Sequence, residues 1–340
     1  MKHNVRLKDI AKKLGVSVAT ISKAINGHSD ISPARREEVN RLVRESNYIP
    51  NSMASTLRTK RTSFVGVLVP DNTNPYYARL ISGIEEKLRS KGYFTLICNT
   101  NNSAELEQEF ITNLRTINVA GVIITPAHGD KQGLKILRQV GIPYVISSSF
   151  VTDDGDNYVI ADDYRAGYLA TEHLLSRKPD APVIMINGYT GYAAARDRYR
   201  GYCDALKDSG PGARWPIVYD DGAVTAEHGY TTAGEILKNY RRDISILCYS
   251  DYVAIGVLQH LHEVGILVPE EMAVMGFDDI GIGFNSFTGP RLSTIDIPKR
   301  SMGMKSAEIL LELINANNTD GQHTVTQFVH DVALVVGETT

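Results

Sequence analysis

The chain has 340 residues, 43% hydrophobic and 22% charged, a length and composition that suit two or three soluble domains and exclude a fibrous or disordered protein. Its net charge of −3 hides a division, because residues 1–62 hold 13 Lys and Arg against 5 Asp and Glu, whereas the remainder holds 23 against 34. A basic head on an acidic body points to a polyanionic partner for the head alone. No apolar run reaches the roughly 18 residues of a membrane span. The polar, helix-patterned start MKHNVRLKDIAKKLG lacks a signal-peptide core, so a cytoplasmic protein is expected. Cys98, Cys203 and Cys248 stand far apart inside apolar runs, as free thiols do in a reducing compartment, and have no metal-ligand spacing. No cofactor or metal is expected.

The head reads as three short helices. RLKDIAKKLG sets Leu7, Ile10, Ala11 and Leu14 at helical spacing, and Gly15 stops the run. VSVATISKAING follows after a turn, with Ser17 as N-cap, Val18, Ile21 and Ile25 as the apolar stripe, and Asn26-Gly27 at its end. SPARREEVNRLVRESNY restarts with Ser32 as cap and Pro33 at the first helical position, and lays Val39, Leu42 and Val43 inward. Two helices joined by a tight turn and braced by a third make a helix-turn-helix unit, whose second helix enters the major groove. Ser17, Val18, Ala19, Thr20, Ser22 and Lys23 lie at or near its N-terminal end, with Lys8 and Asn26 as flanking candidates for DNA contact. Hydroxyls reach phosphates or base edges, small apolar groups meet thymine methyls, and Lys23 is suited to guanine O6 or N7.

The stretch NSMASTLRTKRTS follows the head and is too short to be a stable helix by itself. Asn51 is a candidate cap, Met53 and Leu57 share one helical face, and Arg58, Lys60 and Arg61 are placed for phosphates. From Phe64 onward short apolar runs (FVGVLVP, FTLICNT, VAGVIITP, PYVISS, YVIAD, then VIMING, PIVY, ISILCYSD, AVMGFDD) alternate with amphipathic helices. That alternation predicts two doubly wound parallel sheets in succession, with ligands bound at the carboxyl ends of their strands and in the cleft between them. Asp278 follows the strand AVMGF, and Arg198 opens the cleft-facing side of a helix with a fork of donors.

LKDIAKKLGVSVATISKAING and YIPNSMASTLRTKRT, followed in order by PDNTNPYYARLISGIE, AGVIITP, AGYLATEHLL, RDRYRGYCDAL, VPEEMAVMGFDD and LSTIDIPKRSMGMKSAEILLELI, resemble the LacI/GalR family of bacterial repressors over nearly the whole chain. The resemblance implies an all-α helix-turn-helix head (residues 1–48), a hinge (49–62) and a periplasmic-binding-protein-like α/β core. The core's N-terminal lobe would be 63–161 with 293–323, and its C-terminal lobe 162–292 with 324–340. Leu57 matches the family's intercalating leucine and Ala54 its neighbour in the minor groove. Lys23 stands where members usually carry Arg. Arg198 and Asp278 match the two most regular effector contacts. Ser250 stands where many members have Asn, Ser148 where many sugar-binding members have Asp, and Val224 in place of an aromatic wall. Asn74, Tyr76 and Tyr77 would line the first lobe, with Tyr189 and Tyr192 near Arg198. The expected partners are a palindromic DNA operator, a sugar or sugar-derivative effector and a second copy of the chain, with α-helical NPYYARLISGIEEKL at the dimer contact. A sugar acid or sugar phosphate suits Arg198 as well as a neutral sugar, since fewer carboxylates stand opposite it.

Two other classes are weaker. A solute-binding transport or sensor protein would share the body but not the basic head. An enzyme lacks its motifs: GIGFNS at 281–286 has neither the third glycine nor the setting of a dinucleotide loop, and His260 and His262 are two apart.

Overall fold

A computed structural model describes residues 7–25, 30–46, 62–127, 131–148, 155–210, 215–222, 224–240, 242–281, 290–319 and 324–340. The expected contacts Asn26, Asn51, Ala54, Leu57 and Arg58, together with Met53, Lys60 and Arg61, lie outside the described residues. Packing divides the chain into two compact units at Thr62/Ser63.

In the first unit, α1 (Leu7–Leu14), α2 (Val18–Ile25) and α3 (Pro33–Glu45) enclose Ile10, Ala11, Ile21, Ala24 and Val39, with Leu42 and Val43 packed against them. Gly15 takes the left-handed conformation (φ 63°) that turns the chain between α1 and α2. Ser32 Oγ accepts from Arg35 N at 3.4 Å, and Pro33 opens α3.

The second unit runs β1 (Phe64–Val69), α4 (Pro75–Arg89), β2 (Phe94–Asn99), α5 (Ala104–Thr116), β3 (Gly121–Ile124), α6 (Gln132–Val140), β4 (Tyr144–Ser147) and β5 (Tyr158–Ala161). It continues α7 (Asp163–Arg177), β6 (Val183–Gly188), α8 (Ala193–Asp208), β7 (Ile217–Gly222), α9 (Ala226–Asn239), β8 (Ile244–Cys248), α10 (Asp251–Glu263) and β9 (Met272–Met275). The last elements are β10 (Thr294–Asp296), α11 (Lys299–Thr319), β11 (Gln327–His330) and β12 (Ala333–Val335). One parallel sheet has the order β11-β5-β4-β3-β1-β2 and the other β7-β6-β8-β9, so the α/β reading of the body holds. Helices cover these sheets, and strands buried on both faces are accordingly rich in apolar residues, as in β3 (GVII) and β9 (MAVM).

One expected boundary moves. β11 pairs in parallel with β5 of the first sheet, Gln327 beside Tyr158, so residues from 324 do not all belong to the second lobe. Its short QFVH run satisfies an open edge of the first sheet before the chain crosses to β12, which pairs antiparallel with β10.

Three helix pairs of the body approach backbone to backbone through one glycine on each member: Gly83 and Gly303, Gly167 and Gly201, Gly229 and Gly256. A Cβ on any of them would lie between 1.7 and 2.1 Å from a carbonyl oxygen of the facing helix. The second pair matters for the site, because Gly167 lies directly against the Arg198 carbonyl.

Candidate DNA-reading head and ligand cleft

In the head, Ser17 Oγ caps α2 by accepting from Thr20 N at 3.1 Å, and it lies 2.9 Å from Thr20 Oγ1. Val18 is 44% exposed while Ile21 and Ala24 are buried, so Ala24 and not Val18 completes the inward stripe; the i, i+3 spacing of the sequence did not distinguish the two. Ala19 and Lys8 are exposed, and Thr20 and Ser22 are half-buried. Lys23 is exposed and ion-paired with Asp30, a partner the sequence reading did not anticipate.

Within the body, a cavity of about 500 Å³ opens between the two sheets at the carboxyl ends of their strands. All ten residues expected at the effector site line it: Asn74, Tyr76, Tyr77 and Ser148 from the first lobe, Tyr189, Tyr192, Arg198, Val224, Ser250 and Asp278 from the second. Thr125, Asp163, Tyr249 and Asn102 line it too and were not expected. Asp163 was readable by the same rule that found Asp278, since it follows a strand and opens a helix.

Arg198 is only 4% exposed, and each of its three nitrogens has a partner within the protein. Nε donates to Asp163 Oδ1 at 2.8 Å, Nη1 to the Tyr249 carbonyl at 2.6 Å, and Nη2 to Asp278 Oδ1 at 3.5 Å. The guanidinium also lies over the Tyr249 and Phe277 rings, at 4.9 and 4.6 Å from their centroids. Burial opposes its charge, but the Asp163 and Asp278 carboxylates beside it prevail and raise its pKa. Burial pushes both carboxyls above their usual range, and Arg198 offsets only part of that. The expectation that few carboxylates stand opposite Arg198 is not met, because Asp163 and Asp278 both pair with it and leave the cluster no spare positive charge.

Apart from Asp71, the cleft's other lining groups are uncharged side chains. Burial raises the phenols of Tyr76, Tyr77 and Tyr249, which leaves them as protonated donors. Tyr76 Oη lies 2.8 Å from Ser148 Oγ, and the Asn102 side chain hydrogen-bonds Tyr192. Two expected ligand residues have prior duties: Asn74 Oδ1 caps α4 by accepting from Tyr76 N at 3.0 Å, and Ser250 Oγ caps α10 by accepting from Val253 N at 3.3 Å.

The loop bearing Asp278 is strained and clamped. Asp278 and Asp279 have φ of 102° and 42°, and Ser148 across the cleft has 63°, in the left-handed region that costs a non-glycine residue on the order of 1 kcal/mol. Buried Lys299 donates to the Asp278 and Ile297 carbonyls, and Arg79 donates to the Asp279 carbonyl at 3.4 Å. Beneath them Asp251 accepts from Thr294 Oγ1 at 2.6 Å and Ile280 N at 3.0 Å; burial and then the Asp278 charge push its pKa up to about 8. Among the described residues no group of His, Cys, Asp and Glu is placed to hold a metal ion, and no helix is long and apolar enough to cross a membrane.

A three-helix head joined to a two-sheet body with a polar cleft at the strand ends defines a ligand-binding regulator of DNA. A model described as "Periplasmic binding proteins and sugar binding domain of LacI family" matches residues 62–332, and one for "Bacterial regulatory proteins, lacI family" matches residues 6–51. The chain belongs to the LacI family, and it is a DNA-binding transcriptional repressor of the LacI type, not an enzyme. It is 28% identical over 328 residues to the HTH-type transcriptional repressor PurR of Actinobacillus pleuropneumoniae serotype 3, covering 96% of each chain. It is 30% identical over 309 residues to that of Vibrio atlanticus, covering 91% of each. Among solved structures, the lac repressor dimer bound to operator and the anti-inducer ONPF aligns with a TM-score of 0.86 at 25% identity over 98% of both chains. A LacI family regulator from Enterococcus faecium with bound ribose aligns at 0.73 and 26% identity, over 82% of this chain and 98% of that one.

Proposed function

We propose that the protein is a homodimeric repressor of a carbohydrate-metabolism operon, released from or committed to a palindromic operator by a neutral, hydroxyl-rich effector in the interlobe cleft. It acts where its DNA lies, in the cytoplasm. The observation that carries the effector class is the cluster of Arg198, Asp163 and Asp278, in which two carboxyl groups face one cation and leave no net positive charge. The carboxylates retain lone pairs for sugar hydroxyls, the buried phenols add donors, and no cation is left over for a phosphate. A cavity of about 500 Å³ suits a small sugar. The E. faecium regulator with bound ribose and a CelR–cellobiose complex, aligned at a TM-score of 0.71 and 25% identity, are consistent with this class.

On DNA, each α2 enters one major groove, with Lys8, Ser17, Val18, Ala19, Thr20, Ser22, Lys23 and Asn26 as contacts. The two hinges pair in the minor groove, capped by Asn51, with Ala54 close-packed, Arg58 on phosphate and Leu57 wedged between base steps. The dimer contact runs along α4 and the edge strand β2, where Phe94 and Ile97 are 63% and 45% exposed. Effector binding alters the lobe arrangement and thereby the pairing of the hinges.

A thermal-shift screen of neutral sugars, sugar acids, sugar phosphates and nucleobases tests the cleft, repeated on Arg198→Ala and Asp278→Ala. A neutral sugar hit lost in both variants, and altering operator affinity in the parent, is the expected result. A hit that survives both substitutions removes the site, and a phosphate- or nucleobase-only hit removes the effector class. Leu57→Ala should weaken operator binding sharply and leave random DNA almost unaffected; equal losses would remove the wedge.

A further inference from the structure

Lys23 is the single charged side chain of α2, and its ammonium is ion-paired with Asp30 beyond the end of the helix. The two side chains are 49% and 52% exposed, so the pair stands at the surface of the head. Asp30 is one of only 5 acidic residues among residues 1–62, against 13 basic ones. A carboxylate beside the groove-reading helix weakens every phosphate contact near it, which is an odd feature in a head built to meet a polyanion.

We propose that Asp30 is a specificity-determining positioning residue, which holds Lys23 for a guanine edge and keeps it off the phosphate backbone. The inference rests on the reading of α2 as the major-groove helix. A lysine ammonium is a rotatable point charge on a flexible stem and lacks the planar fork that lets arginine select guanine. Unrestrained at the wall of a groove, it bonds phosphate oxygens, present at every sequence, as readily as O6 or N7 of a base. Asp30 changes both sides of that competition. It occupies one of the three N–H donors and leaves two, enough for the O6 and N7 of one guanine. It also makes the pair net neutral, so the pair gains little from counterion release, and any shift of Lys23 toward a phosphate drags a carboxylate with it. The base edge, uncharged and acceptor-rich, is the partner that remains favourable. The head's salt-dependent affinity then comes from its other cations. Because the pair is solvent-exposed, breaking it barely affects the folding of the head, and its consequence is read on DNA.

The test uses the full-length protein and its Lys23→Ala, Asp30→Asn and Asp30→Glu variants. Each is selected on a pool of duplexes with randomised palindromic half-sites. Affinities are then measured against salt for the sequence selected by the parent and for one unrelated duplex of equal length. The parent should prefer G·C at one position of each half-site, and Lys23→Ala should lose that preference with an unchanged salt slope. Asp30→Asn should bind the unrelated duplex more tightly and steepen the log–log salt slope by about one per head. It should also cut the preference at that same position about tenfold. Asp30→Glu should restore both. If Asp30→Asn strengthens both duplexes equally and leaves the base preference intact, Asp30 is only a neighbouring charge and the inference fails. If Lys23→Ala leaves every position unchanged, the groove reading of α2 fails with it, a distinct outcome.

Discussion

The head and the body use the same element, a basic side chain against carboxylates, in opposite settings. Lys23 and Asp30 face solvent, each about half exposed, whereas Arg198 is buried between Asp163 and Asp278. Water screens the first pair to roughly 0–1 kcal/mol. The second lies where removing one partner leaves a buried charge uncompensated. Their cores differ in the same sense: among the described residues the head encloses five buried hydrophobic residues, and the body encloses two large clusters and a third smaller one. The head is thus a thin scaffold that exposes its charged pair to solvent, and the body holds its charged cluster inside a cleft. Substitutions in the two regions should fail in different ways.

The largest expected effect is at Arg198. Arg198→Met leaves Asp163 and Asp278 buried and unpaired, which should cost about 3–5 kcal/mol in urea melts at pH 8 and abolish effector binding. Without the guanidinium both carboxyls titrate still higher, so the variant should regain stability at pH 5, where they are protonated. A loss of under about 1 kcal/mol at pH 8 would mean that the pair is screened like the one in the head.

Ile21→Ala removes a fully buried side chain from the head's small cluster and should cost about 2–5 kcal/mol, comparable with the whole stability of so small a unit. Operator binding should vanish while effector binding in the body persists. Ile246→Ala, equally buried in the body, should lower the melting temperature but leave operator binding measurable at 20 °C. Loss of both activities in Ile21→Ala would show that the two units do not fold independently.

How much of this the sequence disclosed depended on the kind of signal. Periodicity exposed the strands and helices because burial on two faces and on one face leave different patterns, and strand ends pointed to Arg198 and Asp278. Asp163 escaped because IADDYRAG was read only as a strand meeting a helix, although its second acid occupies the geometry that identified Asp278. Val18 was misassigned because positions 18 and 24 both fall near the Ile21 face, and only packing against α3 chooses between them. The pairing of Lys23 with Asp30, like the crossing of β11, joins segments that no local pattern links.

Titration offers a smaller and more selective probe of the body. Asp251 is protonated in the folded state up to about pH 8, whereas an unfolded aspartate ionises near the ordinary value of 3.8. Between those limits the unfolded chain releases a proton that the folded chain keeps, so stability falls as pH rises, by at most about 1.4 kcal/mol per unit. Asp163 and Asp278, also raised by burial, add in the same sense. Asp251→Asn should flatten part of this slope in melts from pH 5 to pH 8.5, and a slope identical to that of the parent would show that Asp251 is ionised throughout.

The smallest expected effect separates ligand contacts from scaffold within the cleft. Ser250 lines the cavity, yet its Oγ already accepts the Val253 N–H at 3.3 Å and caps α10. Ser250→Ala should therefore cost about 1 kcal/mol of stability, the usual worth of a cap, with effector affinity changed by less than about twofold. Ser148 makes the opposite case: its hydroxyl meets Tyr76 Oη at 2.8 Å and serves no helix end. Ser148→Ala should weaken the effector several-fold and leave the melting curve nearly in place. If calorimetry instead finds Ser250→Ala to be the variant that loses the ligand, the cap is shared with the bound sugar. The boundary between scaffold and contact would then run through one hydroxyl.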